Sequence, residues 1–391
     1  MSMQYLNRVQ FAAELEKCLK CPSKPCEKAC PVHCSPHDFI AAAKSGDMQA
    51  AAELITAQNP CGEVCGLVCP DRFCVRACLR RLVDQAVKIP EVQAEIMRQS
   101  RQSNAAQTEI ISPNGKKIAV IGSGPAGIGA VRELTAQGFQ VSVFEKEASS
   151  GGAVNLIPAE RLPREVLRYE WNKILQSSLV EVIYNTEVND FSYLTNQGFV
   201  AVIVAVGEQK SRSLGIAGEE FAVDYRVYLR QREKYRGCNK VAIIGGGAAA
   251  VDCVLSAVNN GAETVEMFVR RRIGDMRITP KERAALLKMG ADITTMTRVA
   301  KIVKEQGKLT AYTLKTKFNS EGKLVDEEDT QIPRRGYDLI VSALGAERER
   351  QPKVAENVFY AGDYLNGSST VVEALASGKK AAADVIRGLG F

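Results

Sequence analysis

The sequence predicts an α/β protein in which a helical, cysteine-rich segment precedes two parallel-sheet domains. Two observations carry the sheets: a strand–glycine turn–helix–strand unit over residues 116–144, and its repeat over 240–269. The third is the placing of the cysteines. Ten of the twelve lie from Cys18 to Cys78, and only Cys238 and Cys253, read as core residues, fall elsewhere.

A chain of 391 residues has the length for two or three domains. Its 46% hydrophobic and 25% charged content is that of an ordinary globular protein. A net charge of +6 against 51 basic and 45 acidic residues points to neither nucleic acid nor a membrane surface as the main partner. The apolar run Phe199 to Val206 is too short to cross a bilayer, and the first ten residues lack the apolar core of a signal peptide. The expectation is a cytoplasmic location, where thiols stay reduced and available to metal.

Residues 1–108 read as helical. Within them, 35–57 is an Ala-rich helix or helix pair and Glu91–Arg101 another helix. Ser112-Pro113-Asn114-Gly115 marks a boundary. Residues 109–225 then form the first part of one nucleotide domain, 226–345 a second domain, and 346–391 a return to the first. The strands Phe199–Val206 and Tyr337–Leu344 each re-enter their own sheet. A last strand, Val358–Tyr360, leads to a C-terminal helix from about Ser369 to Arg387, expected to pack on the first domain.

Gly122-x-Gly124-x-x-Gly127 follows a strand and opens a helix. The first glycine permits the turn, the second admits a pyrophosphate to the backbone, and the third lets helix and strand approach. Glu145 ends the next strand, where an acid takes ribose hydroxyls. Gly151-Gly152 allows a second close approach. Gly362-Asp363 suits a ribityl hydroxyl, with the helix N-terminus near Thr370 facing a flavin ring. The set predicts FAD.

Gly245-x-Gly247-x-x-Ala250 repeats the fingerprint, but its second strand ends in Arg270-Arg271-Arg272 with Arg277 close behind. Arginines pair with a 2′-phosphate that an acid would repel, so NADPH is expected over NADH. Hydride transfer between nicotinamide and flavin needs little acid–base work. Both histidines, His33 and His37, lie in the cysteine segment, and no catalytic side chain is assigned.

Cys18-x2-Cys21-x4-Cys26-x3-Cys30-Pro31 and Cys65-x3-Cys69-Pro70-x3-Cys74-x3-Cys78 have the short spacings and Cys-Pro steps of iron–sulfur ligation. Structural zinc would want paired Cys-x2-Cys halves. Two cubane clusters fit the spacing, which leaves the pairing of cysteines open. Cys34 and Cys61 read as packing residues.

The order of these motifs, with Cys18-Leu19-Lys20-Cys21, Arg161-Leu162-Pro163-Arg164-Glu165 and Thr370-Val371-Val372-Glu373-Ala374, resembles the N-terminal half of dihydropyrimidine dehydrogenase and its separate bacterial subunit. It is similar also to the glutamate synthase small subunit. The resemblance implies one [4Fe–4S] cluster on Cys18, Cys21, Cys26 and Cys78. It implies a second on Cys30, Cys69, Cys74 and Gln93, with Cys65 the rival fourth ligand. For FAD it implies Gly122, Gly124, Ala126, Gly127, Glu145, Lys146, Gly152, Arg161, Gly362, Asp363, Thr370 and Val371. For NADPH it implies Gly245, Gly247, Ala248, Ala249, Arg270, Arg271 and Arg277. Three departures stand out: a loop one residue shorter between Cys69 and Cys74, Ala248-Ala249 where the family has Asp-Thr, and a short stretch after Gly345.

No substrate barrel is recognisable. The resemblance therefore implies an electron-input subunit in a hetero-oligomer, passing electrons to a substrate-reducing or electron-accepting partner. A transhydrogenase or flavin-bifurcating subunit exchanging electrons with ferredoxin is the second reading, and a non-catalytic scaffold the third.

Overall fold

The computed structural model describes residues 5–103, 111–208, 210–347 and 355–391. Its N-terminal helices are short because prolines and cysteine turns interrupt them. They are α1 (Arg8–Glu16), α2 (Pro25–Ala29), α3 (Pro36–Lys44), α4 (Met48–Gln58), α5 (Gly62–Val68), α6 (Cys74–Ala77) and α7 (Ile89–Gln102). Helices α2, α3 and α7 carry proline in the first turn, where its missing N–H leaves no bond unmade. The segment 35–57 is a helix pair, split at Gly46 with φ +90°. Every residue of α5 is buried, and Gly66 lets it lie against Ala94 of α7, whose backbone nitrogen is 2.6 Å from where a Cβ would stand.

The alternating part follows as β1 (Lys117–Ile121), α8 (Pro125–Ala136), β2 (Gln140–Phe144), α9 (Arg164–Leu175), β3 (Val180–Ile183), α10 (Phe191–Thr195) and β4 (Ala201–Val204). Next come β5 (Lys210–Ser211), β6 (Val223–Asp224), α11 (Tyr225–Arg230), β7 (Lys240–Ile244), α12 (Ala248–Asn259), β8 (Thr264–Val269), α13 (Pro280–Lys288) and β9 (Asp292–Thr295). The chain ends with β10 (Thr297–Glu305), β11 (Lys308–Phe318), β12 (Leu324–Tyr337), β13 (Leu339–Ser342), β14 (Ala346–Glu347), β15 (Val358–Tyr360), α14 (Asp363–Asn366) and α15 (Val371–Gly388).

These elements form two compact units. The first takes the described residues of 2–154, 159–209 and 348–391. Its parallel sheet has the order β15-β4-β1-β2-β3. Ala119, Ile121, Val202, Val204 and Val358 pack on one face. The C-terminal helix α15 lies on α8, where Gly129 faces the Leu375 carbonyl and Gly378 the Ala126 carbonyl so closely that a Cβ at either would collide. Small residues at facing positions set this contact.

The second unit takes Asn155–Pro158 and Lys210–Glu347. Its parallel sheet has the order β6-β13-β7-β8-β9, around a core that includes Ile243, Val254, Met267 and Val341. Cys253 is fully buried in that core and Cys238 packs at its edge. Residues 210–225, read from sequence as part of the first nucleotide domain, belong here because β6 pairs with β13 at the sheet edge. An antiparallel sheet, β10-β11-β12, is a further addition. Its first turn, Gln306-Gly307 with φ +49° and +80°, is the two-residue type that matches strand twist.

Candidate functional site

Cys18, Cys21, Cys26 and Cys78 line one cavity, with Lys24, Arg80 and the apolar side chains of Leu19, Ile40, Val87 and Ile89. Left-handed backbone at Lys20 (φ +50°) and Lys24 (φ +43°) turns the chain between the first three thiols. Burial pushes the Cys26 thiol up to about 11, and neighbouring Cys18 and Cys78 add to the rise. A coordinating metal removes such a proton outright. Among the described residues no three or more Cys, His, Asp or Glu are arranged for a single metal ion; these four thiols surround a space instead. A polynuclear cluster fits that donor set.

A second thiol group holds Cys30, Cys34, Cys65, Cys69 and Cys74, each within electrostatic reach of others in the group. Burial raises all five, Cys65 to about 12. Opposing this at Cys30, the nearby backbone N–H groups of Cys34, Val32 and His33 favour its thiolate form. The turn that aims them has His33 in the left-handed region at φ +54°. Gln93 reaches the group from α7: its Nε2 donates to the Gly62 carbonyl at 2.7 Å, and its Oε1 lies 3.8 Å from Cys34 Sγ. Cys61 is fully buried at the start of α5. Cys34, expected only to pack, stands among the thiols.

The first glycine turn has the geometry a pyrophosphate needs. Gly122 has φ +98°, and a Cβ there would meet the Ala205 carbonyl at 2.5 Å; a Cβ on Gly127 would strike the Gly122 carbonyl. Gly124 opens α8 and faces Gly152 (φ +55°), whose Cβ would lie 3.1 Å from the Gly124 Cα. This cradle is one that side chains would fill. Glu145 is buried, and its carboxylate accepts the Ser123 N–H at 2.9 Å and the Glu147 N–H at 2.9 Å. Ala126 is buried in the first turn of α8, Lys146 is exposed just past β2, and Arg161 is half-buried before α9.

Gly362 (φ +68°) would press a Cβ against Ala126 at 2.7 Å. Asp363 follows it, its carboxyl raised by burial and bonded by Ser369 Oγ. Thr370 caps α15 in a capping box with Glu373, and Val371 is the first helical residue.

Four bonds, made by Glu170, Arg72 and Lys379, tie the thiol groups to this nucleotide site within the first unit. Glu170 of α9 is 2% exposed and accepts the N–H groups of Glu63 and Val64, at 2.6 and 3.0 Å, from the start of α5. Arg72, in the loop between Cys69 and Cys74, pairs at 2.6 Å with Glu373. Lys379 of α15 donates to the Gln58 carbonyl at 2.6 Å, and its charge lowers Cys30 against the stronger effect of burial. Beside Glu170, Trp171 donates to the Ser123 carbonyl at 2.8 Å, fixing the glycine turn from behind. Sequence reasoning named none of Glu170, Trp171, Arg72 or Lys379. One signal was present: Val166, Leu167, Glu170, Trp171 and Ile174 make an apolar helical stripe interrupted by an acid.

The repeat in the second unit is built alike. Gly245 has φ +146° with its Cα against the Ala343 carbonyl, and a Cβ on Gly247 would meet nothing. Ala248 and Ala249 begin α12. Arg272 pairs with Asp275 at 2.9 Å and stacks on Phe318. Arg270 and Arg277 are exposed and Arg271 half-exposed, and none of these three pairs with a carboxylate among the described residues. Arg277 bridges by its backbone to Gly247, so it sits at the turn itself.

A thiol-rich helical domain joined to two glycine-turn parallel-sheet domains defines an NAD(P)H-dependent flavin and iron–sulfur oxidoreductase subunit. The chain belongs to the pyridine nucleotide-disulphide oxidoreductase family, which matches residues 116–378; residues 2–105 match dihydropyrimidine dehydrogenase domain II, 4Fe-4S cluster. Over 388 residues it is 32% identical to the NAD-dependent dihydropyrimidine dehydrogenase subunit PreT of Escherichia coli K12, spanning 94% of this chain and 92% of that one. It is 27% identical over 450 residues to the glutamate synthase (NADPH) small chain of the same strain, spanning 97% and 92%. FprA of Mycobacterium tuberculosis shares the fold at TM-score 0.59 and 14% identity, over 70% of this chain and 85% of that one. The resemblance carried by the motifs is borne out. No helix among the described residues is long and apolar enough to cross a membrane.

Proposed function

We propose that this chain takes hydride from NADPH onto FAD and passes single electrons through two [4Fe–4S] clusters to a substrate-reducing partner subunit in the cytoplasm. One observation carries the reading: both thiol groups and the FAD turn lie in one compact unit, bonded through Glu170, Arg72–Glu373 and Lys379. When bound, FAD exchanges a hydride with nicotinamide and single electrons with iron–sulfur clusters. The residues already named for each nucleotide do the holding. Gly122, Gly124, Gly127 and Gly152 admit the FAD pyrophosphate, with Glu145 on its ribose and Asp363 on the ribityl chain. Gly245, Gly247, Ala248 and Ala249 admit the second pyrophosphate, and Arg270, Arg271 and Arg277 take the 2′-phosphate. Cys18, Cys21, Cys26 and Cys78 hold the first cluster, and Cys30, Cys69 and Cys74 three corners of the second. The naming of both relatives as a subunit or small chain supports a partner.

The test is an anaerobic titration of the holoprotein with NADPH and with NADH. Flavin absorbance should bleach first and cluster absorbance after it. Flavin that bleaches while the clusters stay oxidised would defeat the wiring. R270A removes one charge-assisted contact, worth about 1.5–3 kcal/mol. It should raise the NADPH KM about 10- to 150-fold and leave the NADH KM nearly unchanged. Equal changes for both would defeat the 2′-phosphate assignment.

A further inference from the structure

The arginines that follow β8 do not stand on a free loop. Strand β11 of the antiparallel sheet runs beside them and holds their backbone. Thr316 of β11 is 5% exposed. Its Oγ1 donates to the Arg270 carbonyl at 2.7 Å, and its N–H donates to the Met296 carbonyl at 2.8 Å. The Met296 N–H in turn donates to the Arg271 carbonyl at 3.2 Å. Met296 has φ +49°, in the left-handed region that side chains seldom adopt, and from that conformation its N–H and carbonyl serve the two neighbours. One threonine therefore fixes Arg270 directly and Arg271 through a single residue.

The third arginine of the run is placed differently. Phe318, two residues further along β11, carries the Arg272 guanidinium over its ring at 4.7 Å, and Asp275 pairs with it at 2.9 Å. Arg272 is thus occupied, and the charge left for a ligand is that of Arg270, Arg271 and Arg277. The sheet that does the holding is itself anchored in the strand that bears the arginines. Tyr337 at the end of β12 is fully buried, lies edge-on to Phe268 of β8 with ring centroids 6.3 Å apart, and donates its hydroxyl to Glu266 of β8. Thr294 of β9 donates to the same carboxylate at 2.8 Å. The antiparallel sheet packs on β8 and reaches back to the chain just beyond its end.

Consecutive residues of an extended strand point to opposite faces. Arg270 and Arg271 can meet one phosphate only where the chain leaves strand geometry and is kept in that shape. On an unheld loop they would have to be ordered as the phosphate arrives, at a cost in affinity. We propose that Thr316 is a positioning residue for nucleotide choice: by holding the Arg270 and Arg271 carbonyls it presets the two guanidinium groups for the 2′-phosphate. The β10-β11-β12 sheet is then the part of the second unit that sets selectivity. This rests on the 2′-phosphate reading proposed above, and Thr316 acts through the two arginines.

The test compares NADPH and NADH in steady-state assays of the holoprotein with ferricyanide as electron acceptor. Beside it, calorimetry measures binding of adenosine 2′,5′-bisphosphate, which carries the phosphate, and of 5′-AMP, which lacks it. T316V deletes the hydroxyl at nearly constant volume. It should raise the NADPH KM about 2- to 10-fold, the span of one net hydrogen bond, and weaken the bisphosphate alike. It should leave kcat, the NADH KM and 5′-AMP binding nearly unchanged, and the NADH KM also reports that the second unit is folded. T316A should repeat this, and T316S, which keeps the hydroxyl, should behave like wild type. An unchanged NADPH KM in both T316V and T316A, while R270A discriminates, would overturn the role of Thr316 and leave the 2′-phosphate reading standing. So would equal rises for both nucleotides in T316V, or a T316S as impaired as T316V, since either marks packing alone. If R270A itself moves both nucleotides equally, the 2′-phosphate reading fails and this inference with it.

Discussion

Glu170 is where the thiol-rich helices join the first nucleotide domain, and its replacement has a calculable effect. The carboxylate takes the Glu63 and Val64 N–H groups at the start of α5, a helix with every residue buried. E170A leaves both donors unpaired in a site without water access. At about 1–3 kcal/mol for each unmet buried donor, the loss is about 2–6 kcal/mol. E170Q keeps one acceptor oxygen and should lose about half of that. Burial also pushes the Glu170 carboxyl from its ordinary 4.5 up to about 8, against the two N–H groups that favour its charged form. The folded protein therefore holds this proton more tightly than the unfolded chain does. The resulting stabilisation is fully present below pH 4.5 and is lost as the pH rises through about 8. At about 1.36 kcal/mol per tenfold change in proton affinity, it amounts to a few kcal/mol. Gln does not titrate, so wild type should exceed E170Q in Tm by most near pH ~5 and by several degrees less near pH ~9. Thermal unfolding under argon, followed by flavin fluorescence and far-ultraviolet circular dichroism, measures this. A gap between the two proteins that stays constant across that range would refute the buried-carboxyl argument.

Two further substitutions test the nucleotide cradle. G127A puts a methyl against the Gly122 carbonyl and should abolish FAD retention in the purified protein, read from its absorbance, while iron and sulfide remain. W171F removes the 2.8 Å bond to the Ser123 carbonyl but keeps most of the packing. It should weaken FAD binding by about 1 kcal/mol, roughly fivefold in Kd, measured by flavin release in dilute denaturant. A W171F protein that binds FAD like wild type would mean the glycine turn holds its shape unaided.

Much of the architecture was legible because local chemistry dictates it. Glycine spacing after an apolar strand specifies strand, turn and helix within about thirty residues, and β2, β7, β8 and β15 lie where the pattern puts them. The C-terminal helix packs on the first domain as expected, but the close contact of α15 with Gly129 of α8 was not foreseen. The β10-β11-β12 sheet was overlooked although Gln306-Gly307 carried a hairpin signal, because its strands are largely polar and one-sided. The boundary at 225 missed because β6 is two residues long and is a strand only through its pairing with β13.

The sequence by itself determined the glycine turns, the cysteine spacings and the arginine run, since each depends on neighbours within a few residues. Tertiary structure alone decided which thiols stand together, that Gln93 faces Cys34, and that an acid and a tryptophan of one helix serve two domains. Those relations join residues such as Cys34 and Gln93, or Val64 and Glu170, that are far apart along the chain. Spacing cannot express them, because only packing of the buried helices brings the groups within bonding distance.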